Sequence, residues 1–346
     1  MRIWLVGFGT VGQWLARVLS QQAGPLQARY GLVPQVVGIA SGRDGFVHAP
    51  DGLNLAAALA AARAGRPLAG LPGTEHWPST LDGLHATEAD VLVEVSASPP
   101  EDGEPGLSHL REALGRRIPV VTSNKWPVAH DGLALAALAR DQRVPFRAES
   151  TVMSGTPVLS ALTEGLAGAR PLSLRGLLNA TVNDILTRMA GGQTYPEALA
   201  AAQQAGLAEP DPAADVGGGD ETAKVMILSA LVFGRQLTRS DVTGRGIGDL
   251  PGQAVAEARA AGGTLKHVAS LSFAGPGGTG PVTARVEPEV VRPGDRLAGI
   301  DGAVNGLTVR ADPVGEVTLI GPGAGPELAG QGVLSDLIAV ARAIPQ

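Results

Sequence analysis

Residues 2–19 read RIWLVGFGTVGQWLARVL, and this stretch decides the fold prediction. An apolar run of strand length leads directly into the pattern G-x-G-x-x-G at residues 7–12, and apolar residues at helical spacing follow. Glycines at such a junction let backbone amides approach a pyrophosphate at the positive end of the helix. The stretch therefore predicts the first strand, loop and helix of a Rossmann-type dinucleotide-binding domain. A tight turn without a ligand is the alternative.

Strand-like and helical segments continue to alternate after this stretch. Three more apolar segments of strand length alternate with helical sequence: 35–40, 90–95 and 118–121. This alternation is typical of a doubly wound parallel sheet. We therefore expect a dinucleotide-binding domain over residues 1–147, rejoined by a closing helix within residues 325–346.

The remaining residues, 148–324, predict a second α/β domain. Strand-like segments in its last third favour an antiparallel sheet: 283–286, 308–311 and 317–320. The chain of 346 residues is long enough for both domains to bury a core.

The composition excludes several classes of protein. The formal net charge is -6, and no run of Lys and Arg offers a positive surface to nucleic acid or to an anionic membrane. The chain has no cysteine, which excludes disulfides, thiolate metal sites and thiol catalysis. The apolar start ends at Gly7, and no apolar run of about eighteen residues follows. We expect a cytoplasmic protein with a small-molecule ligand.

Lysine is scarce in this chain. Only three of the 27 Lys and Arg residues are lysines, and Lys125 and Lys224 lie in the segments that most resemble an active site. Burial can tune a lysine amine into a general acid or base, whereas an arginine does not release its proton. The pattern indicates a chemical role for both lysines. Chance placement in an arginine-biased chain is the alternative.

The end of the second predicted strand bears on the choice of cofactor. Residues 41–44 read SGRD, and a serine followed by Arg43 suits a 2′-phosphate better than the carboxylate that usually holds the ribose of NAD. NADP is therefore favoured, while Asp44 keeps NAD open and Arg43 could be a solvated loop charge. Glu94 and Ser96 lie at the carboxyl end of the strand-like segment 90–95, where open parallel sheets bind their ligands, and Ser96 is therefore a candidate cofactor contact. Lys125 and Gly325 lie in motifs given below. The predicted cofactor contacts are Gly7, Phe8, Gly9, Thr10, Val11, Gly12, Arg43, Ser96, Lys125 and Gly325.

A carboxylate and an amine lie four residues apart in the second domain. A helix over residues 220–232 would carry Asp220 and Lys224 on one face, and Glu209 in the preceding proline-containing loop could bring a second carboxylate to the same place. A surface ion pair is one alternative. A divalent-metal site is another, since hard cations prefer oxygen ligands. Its candidate ligands are Glu209, Asp211, Asp215 and Asp220.

Six motifs follow the glycine loop in order, and together they identify a family. They are TSNK (122–125), ESTVMSGTP (149–157), GLLNATVN (176–183), GLAEPDP (206–212), GGD (218–220) with Lys224 four residues on, and GPGAG (321–325). This ordered set closely resembles the homoserine dehydrogenases over nearly the whole chain. Trp126 and Asp184 depart from the usual pattern, in which a smaller residue and an aromatic residue are common.

The resemblance implies an activity and its residues. It implies NAD(P)-dependent interconversion of L-homoserine and L-aspartate 4-semialdehyde, in threonine and methionine biosynthesis. It places Lys224 first and Lys125 second as the residue that exchanges the substrate proton. It also implies a substrate pocket built from Glu209, Asp220, Gly206 and Asp215.

Three further expectations come from the resemblance alone. A sodium ion would be held mainly by backbone carbonyls at Glu149, Val152, Ser154 and Thr156. The antiparallel sheet would join two subunits into a homodimer. Because the chain ends soon after GPGAG, we expect a short form without the threonine-sensing ACT domain.

Two other functions compete with this interpretation. Aspartate-semialdehyde dehydrogenase forms a thioester and therefore needs a cysteine, which this chain lacks. An NADP-binding sensor without catalysis would keep the glycine loop but would not need Lys125, Glu209, Asp220 and Lys224 together.

Overall fold

A computed structural model describes residues 1–208, 212, 216–251, 253–323 and 325–344. The chain divides into two compact units. The first comprises Met1–Gly155 and Gly325–Gln346, and the second is Thr156–Ala324.

Seven strands of the described first unit form one sheet. They are β1 (Arg2–Val6), β2 (Gln35–Ser41), β3 (Gly45–His48), β4 (Glu75–Trp77), β5 (Val91–Glu94), β6 (Val120–Thr122) and β7 (Phe146–Arg147). Their order is β4-β3-β2-β1-β5-β6-β7, and the five strands from β2 to β7 are parallel. The Rossmann-type prediction is confirmed. The sequence did not predict β3 and β4, which add an antiparallel edge.

Helices accompany this sheet. They are α1 (Thr10–Gln21), α2 (Ala23–Tyr30), α3 (Leu55–Arg63), α4 (Thr80–Ala86), α5 (Gly106–Gly115), α6 (Lys125–Gln142), α7 (Ser150–Met153) and α13 (Pro326–Ala343). The closing helix α13 returns to the first unit because Val333, Leu337 and Val340 bury one apolar face in the same core as β1 and α1. A Cβ at Gly330 would lie 2.2 Å from the ring of Trp14, so this glycine permits the close contact of α13 with α1.

The second unit has a largely antiparallel sheet. Its described strands are β8 (Arg170–Leu177), β9 (Val242–Gly244), β10 (Thr264–Gly275), β11 (Thr279–Val291), β12 (Val304–Asp312) and β13 (Gly315–Pro322). Their order is β13-β12-β8-β10-β11-β9, and only β11 and β9 pair in parallel. The three predicted antiparallel segments lie within β11, β12 and β13.

Helices cover both faces of this second sheet. They are α8 (Val158–Ser160), α9 (Ala180–Ala190), α10 (Tyr195–Gln204), α11 (Gly219–Leu231) and α12 (Ala254–Ala260). Lys266 on β10 donates to Asn183 of α9, whereas the next residue, His267, contacts Glu221 of α11. Since successive residues of a strand point to opposite faces, α9 and α11 lie on opposite sides of the sheet.

The third lysine has a structural position. Lys266 is fully buried, and its Nζ donates to Asn183 Oδ1, Ile300 O and Asp301 Oδ1 at 2.6–3.1 Å. The third lysine of the chain therefore has a structural role in the core of the second unit, in contrast to the predicted chemical role of the other two.

No helix within the described ranges combines the length and the apolar character needed to span a bilayer. The cytoplasmic location stays a prediction.

Candidate active site

The glycine loop has three glycines with different surroundings. A Cβ at Gly7, whose φ is +100°, would lie 2.5 Å from Ser96 N, and a Cβ at Gly12 would lie 2.0 Å from Gly7 O. Gly9 has no atom of the described chain within 4 Å of an added Cβ, and no side chain caps α1, which begins after it. Two glycines thus permit close packing, and the third leaves space at a helix N-terminus. This arrangement fits a dinucleotide pyrophosphate.

The other loop residues are held in this geometry. Phe8 is buried, and its carbonyl accepts a hydrogen bond from Gln13 Nε2 at 2.9 Å. Thr10 is exposed and Val11 is partly buried, where α1 begins.

The two charged candidates at the tip of β2 differ in burial. The carboxylate of Asp44 is buried, and it accepts from Ser41 Oγ at 2.8 Å and from Leu68 N at 3.2 Å. Arg43 is 55% exposed in its side chain and donates to the carbonyls of Gly65 and Arg66. The carboxylate of Asp44 is therefore occupied by internal hydrogen bonds, whereas the guanidinium of Arg43 lies at the surface and also pairs with Asp44 Oδ2 at 3.6 Å.

The ends of β5 and β6 bring the Ser96 and TSNK segments together. Glu94 pairs with Thr122 in the parallel register, and Ser96 follows two residues after Glu94. Lys125 is partly exposed and is the first residue of α6. Since β1 pairs with β5 in parallel, Ser96 and Lys125 lie at the same carboxyl-terminal ends of the strands as the loop that starts at Gly7.

The predicted pair in the second unit is formed. Nζ of Lys224 lies 2.7 Å from Oδ2 of Asp220 and donates to Leu178 O at 2.6 Å. Asn179, the N-cap residue of α9, donates to Asp220 Oδ2 at 3.4 Å. The side chains of Lys224 and Asp220 are only 9% and 15% exposed, which does not match the alternative of a solvated surface pair.

A buried pair holds the start of α11 against the sheet. Glu221 Oε1 lies 2.9 Å from His267 Nδ1, and His267 Nε2 lies 2.9 Å from Arg245 O. Burial lowers the pKa of His267, but the hydrogen bond and charge of Glu221, together with the Arg245 carbonyl, outweigh it and raise this pKa above its ordinary value. The helix that carries Asp220 and Lys224 is thereby fixed.

Part of the predicted substrate pocket lies beyond the described residues. Glu209, Asp211 and Asp215 are outside them. Gly206 has a φ of +71° in the turn after α10, and the next carbonyl, of Leu207, accepts from Thr181 Oγ1 at 2.7 Å. Within the described ranges, no group of three His, Cys, Asp or Glu residues could hold a metal ion. The divalent-metal alternative is not decided, because three of its four candidate ligands lie outside those ranges.

The predicted sodium segment forms a tight turn. The carbonyls of Glu149, Ser154 and Thr156 accept hydrogen bonds from Val152 N, Ser150 Oγ and Val158 N. Each carbonyl oxygen has two lone pairs, so these hydrogen bonds are compatible with an additional cation contact. Val152 is buried, and the cation site stays a prediction.

The two departures from the family pattern are accommodated locally. The ring of Trp126 lies 5.9 Å from that of His130. Asp184 forms an ion pair with Arg188 at 2.6 Å within α9.

Sequence reasoning missed two polar features. A buried Glu94–His109 pair lies beneath Ser96. Asn305 on β12 is fully buried, and its amide has no hydrogen-bond partner among the described residues. A Cβ at Gly323, within the GPGAG segment, would lie 2.4 Å from this amide. Gly325, with a φ of +128°, is the N-cap residue that precedes α13. Glu94 could be recognised as a polar residue at the carboxyl end of an apolar strand, but its pairing with His109 could not.

Comparison with known proteins decides the family. The family model described as homoserine dehydrogenase matches residues 157–338. The NAD(+)-dependent homoserine dehydrogenase of Pseudomonas canavaninivorans is 37% identical over 340 residues, which cover 96% of this chain and 94% of that protein. The chain belongs to the homoserine dehydrogenase family. The resemblance is confirmed, and with it the prediction of an oxidoreductase.

Solved structures of the homoserine dehydrogenase family agree in fold. A putative homoserine dehydrogenase from Archaeoglobus fulgidus matches with a TM-score of 0.85 at 29% identity, over 98% of this chain and 99% of that one. A hyperthermophilic archaeal homoserine dehydrogenase in complex with NADPH matches with a TM-score of 0.81 at 29% identity, over 99% and 98%.

Proposed function

We propose that this chain oxidises L-homoserine to L-aspartate 4-semialdehyde with NAD(P) and catalyses the reverse reaction. The observation that carries the proposal is the buried Asp220–Lys224 pair of α11 in a chain that also has the glycine loop of a dinucleotide-binding domain. The bound cofactor would take up the hydride. Residues 1–147 and 325–346 would bind it, and residues 148–324 would provide catalysis and dimerisation. A cytoplasmic enzyme of threonine and methionine biosynthesis would follow from this activity.

Lys224 is the first candidate to exchange the hydroxyl proton of homoserine, and Lys125 is the second. The ammonium of Lys224 is oriented by Asp220 and by the Leu178 carbonyl, so its Nζ has a fixed position. In its neutral form an amine so placed can take the hydroxyl proton in oxidation, and the ammonium that results can return it in reduction. Asp220, together with Glu209, would bind the substrate ammonium, and Gly206 and Asp215 would complete the pocket.

NADP is the favoured cofactor. Asp44 is engaged with Ser41 and Leu68, whereas Arg43 is exposed at the tip of β2, where a 2′-phosphate would be bound. NAD stays the alternative, since one relative is named NAD(+)-dependent, whereas a related structure in complex with NADPH supports NADP. A sodium ion held by backbone carbonyls of residues 149–156 and a homodimer are further parts of the proposal.

The test is nicotinamide absorbance with L-homoserine and each cofactor in turn, with sodium or potassium present. We expect turnover with at least one cofactor. Folded protein that binds a dinucleotide but turns over homoserine with neither cofactor would instead support the NADP-binding sensor.

A further inference from the structure

A buried glutamate–histidine pair lies in the first unit, near the ends of the strands that carry the glycine loop. Glu94 is fully buried and His109 is 3% exposed. Oε2 of Glu94 lies 2.7 Å from Nδ1 of His109. The other oxygen, Oε1, accepts from Ser96 N at 2.8 Å and from Ser96 Oγ at 2.5 Å. One carboxylate therefore contacts both a buried histidine and a predicted cofactor residue.

Glu94 also holds the neighbouring strand end through its backbone. Its carbonyl accepts from Thr122 Oγ1 at 2.9 Å and from Ser123 N at 3.1 Å. On the other side, a Cβ at Gly7 would lie 2.5 Å from Ser96 N. Ser96 is thus fixed between the carboxylate of Glu94 and the first glycine of the loop.

Packing alone does not account for Glu94. The three preceding residues of β5 are buried and apolar, and an apolar residue would continue the run without desolvating a charge. Burial of a carboxylate is costly unless charge pairing and hydrogen bonds compensate for the lost water. His109 and Ser96 provide that compensation here. We therefore infer that the carboxylate of Glu94 has a role that an apolar side chain at this position could not fulfil.

We propose that Glu94 and His109 form a positioning pair for the cofactor site, and that they set Ser96 so that its hydroxyl presents only an acceptor to the nicotinamide half of the dinucleotide. This inference rests on the proposed use of NAD(P). A carboxylate accepts hydrogen bonds, so the single proton of the Ser96 hydroxyl is directed to Glu94. The lone pairs of Oγ then suit a ribose hydroxyl or a carboxamide N–H, and a phosphate oxygen is disfavoured.

The sheet order assigns this contact to one half of the cofactor. β1 lies between β2 and β5, and the glycine loop follows β1. In sheets of this type the adenosine ribose is bound beyond the end of the strand that corresponds to β2, and the dinucleotide crosses the switch point. Arg43 follows β2 and Ser96 follows β5. The nicotinamide half therefore extends toward Ser96.

The experiment measures binding of NADPH and NADH without homoserine, from the fluorescence of the reduced nicotinamide. Calorimetry with adenosine 2′,5′-bisphosphate and AMP reports on the adenosine half alone. We expect Ser96→Ala and His109→Leu each to raise the Kd of the dinucleotide about three- to tenfold. The Kd of the adenosine fragments should not change. Equal losses for the dinucleotide and the fragments would overturn the proposal.

Two further variants separate positioning from general stability. His109→Asn retains a donor close to the position of Nδ1 and should restore most of the affinity lost in His109→Leu, which a role in packing the imidazole ring would not do. The double variant Ser96→Ala/His109→Leu should bind no more weakly than Ser96→Ala, because both changes act through Glu94. A double variant whose increase in Kd equals the product of the two single increases would overturn the proposal.

His85 provides a matched control. It forms a histidine–glutamate pair with Glu112 at 3.0 Å, but its side chain is 58% exposed. His85→Leu should leave the Kd unchanged, and a loss equal to that of His109→Leu would contradict a specific role. Wild-type protein that binds the dinucleotide but does not oxidise homoserine would sink the proposed activity alone. Wild-type protein that binds neither NADPH nor NADH would overturn this inference.

Discussion

Lys224 follows Asp220 by one helical turn, and Nζ of Lys224 lies 2.7 Å from Oδ2 of Asp220. The same Nζ donates a hydrogen bond to the carbonyl of Leu178. Two parts of the chain thus define the position of this amine: α11, through the carboxylate of Asp220, and the residue that follows β8, through the carbonyl of Leu178. Arginine would keep the charge but extend the side chain and present a planar group that does not give up its proton.

Lys224→Arg should therefore keep the fold and lower kcat by about a hundredfold or more, the usual contribution of a general acid or base. Lys125→Arg, measured in parallel, ranks the two candidates. Steady-state kinetics together with thermal unfolding are the measurements. Full kcat in Lys224→Arg, with a large loss in Lys125→Arg, would transfer the role to Lys125.

Arg43→Ala should raise the KM for NADP about tenfold or more, with a much smaller effect on NAD, because a charge-assisted hydrogen bond to a phosphate would be lost. Arg296→Ala is the matched control, since that side chain is 56% exposed against 55% for Arg43 and lies in the second unit. Equal effects of Arg43→Ala on both cofactors would remove the preference for NADP.

Gly9→Ala and Gly12→Ala should separate binding from stability. A methyl group at Gly9 meets no atom of the described chain within 4 Å, so the free energy of unfolding should change by less than about 0.5 kcal/mol while the Kd of the dinucleotide rises. At Gly12 the added carbon would lie 2.0 Å from Gly7 O, so this variant should lose stability. Thermal unfolding and cofactor titration test both, and unchanged binding in Gly9→Ala would argue against a pyrophosphate at this loop.

The pair of His267 and Glu221 should give stability a pH dependence. Because the folded-state pKa of His267 is raised, its contribution is complete below the unfolded value of about 6.5 and is lost as the pH rises through the folded value. Urea unfolding of wild type and His267→Gln, from pH 6 to pH 9 or so, should give a difference in unfolding free energy that shrinks with rising pH. Burial lowers the pKa of His48, an effect of opposite sign that cancels in this difference. A constant difference would contradict the prediction.

Asn305→Leu should stabilise the protein by about 1–3 kcal/mol, because it removes a buried amide that has no partner among the described residues. Asn183→Leu is the control with the opposite expectation. Its Nδ2 donates to the carbonyls of Ile300, Gly302 and Val304, so its loss leaves acceptors without this donor. Urea unfolding of both variants is the measurement, and destabilisation in Asn305→Leu would indicate an interaction not accounted for here.

The sequence alone predicted those parts of the fold and of the site whose residues lie close together along the chain. The glycine loop could be read because strand, glycines and helix are consecutive, and the Asp220–Lys224 pair because its spacing equals one helical turn. The Glu94–His109 pair joins residues fifteen positions apart on different elements, and no local period relates them. The β3–β4 edge was missed because both strands are very short, and the close packing of Gly45 against the backbone at Trp77 is a tertiary contact.

The burial of lysine has a practical consequence for handling the protein. Lys266 and Lys224 are buried and Lys125 is only partly exposed, so the positive charge of the surface is carried by arginine. Amine-directed coupling would therefore be confined largely to the amino group of Met1 and to Lys125. Random biotinylation or surface immobilisation through amines would modify a candidate active-site residue. Attachment through an introduced cysteine is the better route, because the chain contains no other thiol.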